Sequence, residues 1–153
     1  MNRRNFLSLG ISAVAVATVI PSNLSAVDFR ATKPKAWDAT TTKEAIKSLY
    51  GTSNTTPSGV KLKAPEIAEN GAVIPLTISS KMKDVKTVSL FQDANPESAV
   101  AVFTVPDNGI VEYSVRIKMQ KTGNVTAIVA TKDGKLYSAA KLVKVTKGGC
   151  GGW

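Results

Sequence analysis

The sequence predicts a mainly β fold: an immunoglobulin-like antiparallel β-sandwich with one short N-terminal helix and a flexible C-terminal Gly-Gly-Cys-Gly-Gly arm. Three observations predict it. From Val60 onward the apolar residues recur with a period of two, most cleanly where Val111, Tyr113, Val115, Ile117 and Met119 share one face and Glu112, Ser114, Arg116 and Lys118 the other. Turn signals, among them Asn70-Gly71 and Asp133-Gly134, separate about seven such runs at roughly 10-residue spacing, with no helical period between them. A length of 153 residues suits one domain of this type. The Cys-Trp-Cys signature of a true immunoglobulin domain is absent.

Residues 1–26 read as an export signal. Arg3 and Arg4 are followed by Phe6 and Leu7, then by an uncharged run to Ile20 and a small-residue region ending at Ala26. About a dozen apolar or small residues from Leu9 to Ile20 fall short of the roughly 20 that span a bilayer, so no stable membrane anchor is expected. The arginine pair with Phe6-Leu7 behind it reads as a twin-arginine address, used for proteins exported already folded, which points to the periplasm. Cleavage after Ala26 leaves Leu24 where a small residue is preferred.

Residues 27–59 form the next unit. Val27 to Ala39, with Pro34 and Trp37, reads as extended. One helix follows: Thr41 and Glu44 have the spacing of a capping box, Ala45, Ile46 and Leu49 make a short apolar face, and Gly51 supplies the stop. Thr52 to Gly59 is polar, contains Pro57, and reads as a loop.

The sandwich is assigned to residues 60–147. Two extended runs surround Asn70-Gly71, a hairpin signal because both residues tolerate positive φ. Pro65 and Pro75 cannot donate to a ladder, so free edges or bulges are expected there. Val85, Thr87, Ser89 and Phe91 alternate with Val88 and Leu90; the run around Ala99 to Val105 follows, then the strand from Val111. Asp133-Gly134 joins the last two strands, Asn124 to Lys132 and Lys135 to Thr146.

Composition excludes several functions. The net charge is +9, but the lysines are scattered through strands instead of forming a stripe, and an exported protein rarely meets nucleic acid; an anionic substrate or acidic partner fits better. No histidine occurs, which removes the commonest general base and the commonest metal ligand together. One cysteine excludes an intramolecular disulfide, a CxxC site and a cysteine-based zinc site. Asp84, Asp93, Glu97, Asp107, Glu112 and Asp133 sit in turn-like or solvent-facing contexts and read as solvated carboxylates. A self-contained enzyme, a metal site and a bound cofactor are therefore not expected.

That leaves Cys150, flanked by Gly148, Gly149, Gly151 and Gly152 in a segment, residues 148–153, placed directly after the last strand. Glycine removes the Cβ restriction on the backbone, and four extended steps from Thr146 put the thiol roughly 13 to 14 Å beyond the fold. Lys144 and Lys147 favour the thiolate and would attract an anionic sulfur species. The segment reads as a tethered nucleophile that carries something covalently. A frayed tail, an intermolecular disulfide within a non-catalytic binding module, and a thiol peroxidase or transferase are the competing readings.

The terminal "GGCGG", the start "RRNFL" and the segment "APEIAENGAVIPLTI" together resemble the SoxY family, sulfur-carrying subunits of the SoxYZ complex of bacterial thiosulfate oxidation. The resemblance implies a sandwich paired with a second sandwich protein, SoxZ. It implies that Cys150 carries the substrate: a SoxAX cytochrome conjugates thiosulfate to it as a cysteine S-thiosulfonate, and the SoxB hydrolase then releases sulfate. The remaining sulfane sulfur is oxidised by a sulfur dehydrogenase or passed on. Trp153 extends past the family's usual ending. Phe91, Phe103 and Tyr137 are candidates for the SoxZ face wherever they lie outside the core.

Overall fold

The computed structural model describes residues 27–148. Arg3, Arg4, Phe6 and Leu7, expected from the sequence to belong to an export signal, lie outside the described residues, as do Gly149, Cys150, Gly151, Gly152 and Trp153. Three helical segments come first: α1 (Phe29–Thr32), α2 (Pro34–Asp38) and α3 (Thr42–Tyr50). Eight strands follow among the described residues: β1 (Lys61–Lys63), β2 (Ile67–Ala68), β3 (Ile74–Ser80), β4 (Val85–Gln92), β5 (Ala99–Thr104), β6 (Val111–Ile117), β7 (Gly123–Thr131) and β8 (Leu136–Val145). They make a three-stranded sheet in the order β1-β3-β6 and a five-stranded sheet in the order β2-β8-β7-β4-β5. All ladders are antiparallel except the short parallel pair of β2 with β8. This is the mainly β sandwich that the alternation predicts.

Helix α3 forms for the reasons its sequence states. The Thr41 side chain accepts from the Glu44 amide, Gly51 adopts φ +79° and donates to the Lys47 carbonyl, and Ala45, Ile46 and Leu49 are buried. Burying Ile46 and Leu49 contributes about 2 kcal/mol each. The extended reading of Val27 to Ala39 is corrected: this stretch holds α1 and α2. Asp28 caps α1 by accepting from the Ala31 amide, Pro34 occupies the start of α2, where its missing N–H costs nothing, and Ala36 is buried. Tertiary packing of Ala36 and Trp37 against the sheet decides the conformation, which local propensity left open.

Two apolar clusters result. The first fills the space between the sheets, with Ile74, Leu76 and Ile78 of β3 facing Val88, Leu90, Val125, Val129 and Val143. The second lies on the outer face of the five-stranded sheet, where Ala45, Ile46 and Leu49 cover Phe91, Ile128, Ala130 and Leu136. β4 is therefore buried on both faces instead of alternating. A register shift between Val85 and Thr87 also moves Val85 off the Thr87, Ser89 and Phe91 face.

The hydroxyls on that covered face have a partner. Tyr50 Oη lies 2.8 Å from Ser89 Oγ and 3.0 Å from Thr87 Oγ1. Burial pushes the Tyr50 phenol above its ordinary value of 10.0, against a smaller opposing effect of the two hydroxyls. The neutral phenol is the form that the fold favours, so its contribution is complete below pH 10.0 and is lost as pH rises through the raised value. Urea titrations across alkaline pH should show that loss, and Tyr50→Phe should remove it while costing about 1–2 kcal/mol at neutral pH.

Asn70-Gly71 does not make a hairpin. β2 pairs with β8 in one sheet, whereas β3 pairs with β1 and β6 in the other, so the turn carries the chain between sheets. The Asn70 Oδ1 accepts from the Ala72 amide at 2.9 Å, closing a local turn that redirects the backbone. Pro75 has a partner strand on one side only, since β1 reaches no further along β3 than Thr77. Asp133-Gly134 is the turn its sequence predicts, with Gly134 at φ +86° between β7 and β8.

Candidate functional site

The described chain stops two residues short of Cys150, so its geometry is that of the root from which Cys150 departs. β8 is held along its last residues from two sides. On one side the Lys144 amide donates to the Glu66 carbonyl at 2.9 Å and the Thr146 amide to the Ala68 carbonyl at 3.1 Å. On the other the Val145 amide donates to Thr122 Oγ1 at 2.9 Å. Beyond the strand, the buried Gly71 amide donates to the Lys147 carbonyl at 2.8 Å, and the Gly71 carbonyl accepts from the Met119 amide at 2.8 Å. The Asn70-Gly71 turn thus joins the end of β8 to the segment after β6.

That segment is fixed from inside the protein. Asn95, 9% exposed, donates through Nδ2 to the Lys118 carbonyl at 2.8 Å and accepts through Oδ1 from the Gln120 amide at 2.9 Å. Gln92, 1% exposed, accepts through Oε1 from the amides of Ala94 and Asn95 and donates through Nε2 to the Glu97 carbonyl. Every hydrogen-bonding atom of these two amide side chains that could be orphaned by burial is matched, which is what makes them tolerable in the interior. The result is a continuous path from Gln92 through Asn95 to Gln120.

Gln120 in turn meets Gly148. A Cβ built on Gly148 would overlap the Gln120 carbonyl oxygen. This glycine is therefore required by close approach of two backbones, beside whatever freedom it gives the residues after it. Gly148→Ala should shift the Lys147 carbonyl and speed hydrogen exchange at the Gly71 amide, with the core amides of β4 and β7 unchanged.

Neither Gln92 nor Asn95 is singled out by the sequence, where "QDANPES" reads as a polar connection; nothing in it tells inward from outward side chains. Of the six carboxylates predicted to be solvated, Asp84, Asp107 and Asp133 lie around Lys132 at the turn end of the β7–β8 hairpin, where they make no metal-binding cluster among the described residues. Glu97 pairs with Arg30 at 3.3 Å, and Asp107 pairs with Lys132, whose hydrogen bond holds its carboxyl below the ordinary range. Asp133 is lowered by the Thr131 hydroxyl and then by the Lys135 amide, at the hairpin end opposite the root. Among the described residues no cluster of three or more metal-ligating side chains occurs. No helix among them is long and apolar enough to cross a membrane. Of the candidate docking aromatics, Phe91 is core and is withdrawn. Phe103 is half-buried and stacks on Tyr113 across the sheet edges, with centroids 4.9 Å apart, and Tyr137 is half-buried.

Comparisons with known proteins bear on this root. A family model described as "Sulfur oxidation protein SoxY" matches residues 46–150. The solved structure of the sulfur carrier protein SoxY from Chlorobium limicola f thiosulfatophilum is 38% identical, with a TM-score of 0.63, and the match covers 72% of this chain and 96% of that one. The superoxide reductase (neelaredoxin) of Ignicoccus hospitalis is 18% identical, with a TM-score of 0.51 over 57% of this chain and 80% of that one; this is a likeness of fold. No curated protein matches.

Proposed function

This chain belongs to the SoxY family of sulfur oxidation proteins, and from that premise we propose that it is a periplasmic carrier that holds thiosulfate-derived sulfur covalently on Cys150. The observation that carries the reading is positional. The only cysteine in the sequence lies three residues beyond Lys147, through which the described backbone is hydrogen-bonded. Three extended steps from Lys147 give a lever of at most about 10 Å, shorter than a count from Thr146 suggests. Residues 1–26 act as the twin-arginine signal, 27–59 as a helical cover, 60–147 as the docking sandwich and 148–153 as the carrier arm.

The chemistry asks little of the carrier itself, which is a substrate and not an enzyme. The Cys150 thiolate joins the terminal sulfur of thiosulfate, and the two electrons released pass to the haem of the SoxAX cytochrome. Water then attacks the sulfonate sulfur in the SoxB hydrolase, breaking its bond to the sulfane sulfur; sulfate leaves with protons, and a persulfide stays on Cys150. A sulfur dehydrogenase or an acceptor takes that sulfur. Lys144 and Lys147 favour the thiolate before loading and attract the anionic adduct after it. SoxZ is the heterodimer partner, and Phe103 with Tyr113 at the sheet edges is the aromatic pair open to it.

Intact-mass measurement of the protein from thiosulfate-grown cells tests the proposal. A mass increase of one sulfur plus one sulfonate, removed by reductant and mapped to Cys150, is expected. Finding only unmodified monomer or a disulfide-linked dimer would sink it.

A further inference from the structure

The outer face of the five-stranded sheet is covered over only half its length. Along β8 the residues Leu136, Ser138, Ala140, Leu142 and Lys144 share that face, because the ladder with β7 runs without a register shift. Leu136 lies under the helical layer and is 5% exposed, whereas Leu142, six residues on and on the same face, is 48% exposed. β2 runs parallel to β8 with Ile67 opposite Lys144, which places Ile67 on the uncovered half at 59% exposure. Together with Glu66 and Lys141 these residues line a shallow depression of about 290 Å³.

Two features say what covers it. Lys144 forms no ion pair among the described residues and Lys147 follows at the root, whereas the Lys141 ammonium is turned away to donate to the Ala64 carbonyl at 2.7 Å; the cationic border of the apolar centre, beside the one carboxylate of Glu66, is therefore made by Lys144 and Lys147. The depression also adjoins the root: Lys144 is three residues before Lys147, whose carbonyl is the last one held among the described residues. With a lever of at most about 10 Å beyond Lys147, an active site that receives Cys150 must bring its rim onto the surface around the root. Exposed apolar residues beside such a root are contact surface for whatever encloses the thiol.

We propose that Ile67, Leu142 and Lys144 form the docking surface for the enzymes that load and unload Cys150, and that these enzymes present an apolar contact bordered by carboxylates. The inference rests on the carrier reading. Apolar contact holds the complex, and the opposite charges speed encounter and orient it.

The test compares thiosulfate loading of Cys150 by a SoxAX cytochrome in the native chain, Leu142→Asn and Ile67→Asn, each co-produced with SoxZ. Both substitutions are neutral and at exposed positions, so the fold and the thiol are left intact, and the rate of Cys150 alkylation by iodoacetamide serves as the control. Loading should fall about tenfold or more, with alkylation unchanged, and native loading should slow as salt rises. Unchanged loading in both variants overturns the docking surface. So does sedimentation showing that the native chain self-associates and the variants do not, since the face would then join two copies. A native chain that is alkylated but never loaded overturns the carrier reading itself, and the docking surface with it.

Discussion

Cys150→Ser protein is expected to carry no sulfur adduct at all while keeping the thermal midpoint and circular dichroism of the native chain. The expected loss is complete because there is no second thiol to take over. A hydroxyl cannot replace it, since serine ionises far above the pH at which a thiolate forms. Stability should be untouched on the proposal that the arm stands apart from the fold, whose described cores, between the sheets and under the helical layer, are built from residues 36–143. Mass spectrometry after incubation with thiosulfate and the SoxAX cytochrome reads the first outcome and calorimetry the second. A residual adduct would place the attachment elsewhere, and a collapsed fold would contradict an arm that stands apart from the cores.

Asn95→Ala is the substitution outside the apolar core expected to have the largest effect on the fold. It strips the partner from the Lys118 carbonyl and from the Gln120 amide at once, in a side chain only 9% exposed, and the cost should be about 2–4 kcal/mol. Asn95→Asp keeps the acceptor for Gln120 but sets a buried carboxylate oxygen against the Lys118 carbonyl, so its cost should be at least as large. The effect should also reach the root of the arm, because Met119 lies between those two residues and its amide holds Gly71, which in turn holds Lys147. Urea denaturation measures the stability, and hydrogen exchange at Gly71 and Gln120 measures the loosening. Equal stability of the alanine variant and the native chain would show that water substitutes fully for the amide.

The elements legible in the sequence are those whose signal is local. The capping residues Thr41 and Gly51, the Asp133-Gly134 turn and the alternation of β6 each depend on side chains within a few positions of one another, and all appear where the spacing puts them. Phe91 and the Asn70-Gly71 turn show the converse. A phenylalanine on an alternating strand is compatible with either face being wet, and only the helical layer makes it core. Asn-Gly favours a turn, but whether the flanking strands pair depends on partners more than thirty residues away in the chain, β6 and β8.

By itself the sequence determined the sandwich and its helix α3, and it singled out Cys150, its one cysteine, as the residue proposed to carry a covalent cargo. Composition did the last of these by elimination, since without histidine and with a single cysteine few chemistries remain. Only the tertiary structure decided where the arm begins. The hydrogen bonds that hold the backbone at Lys147, the inward-turned Asn95 that braces them and the close passage of Gly148 over Gln120 join residues 23 to 76 positions apart. Such contacts form because buried amides must find partners wherever the packed backbone offers them, and no local pattern of residue types encodes which partner that will be.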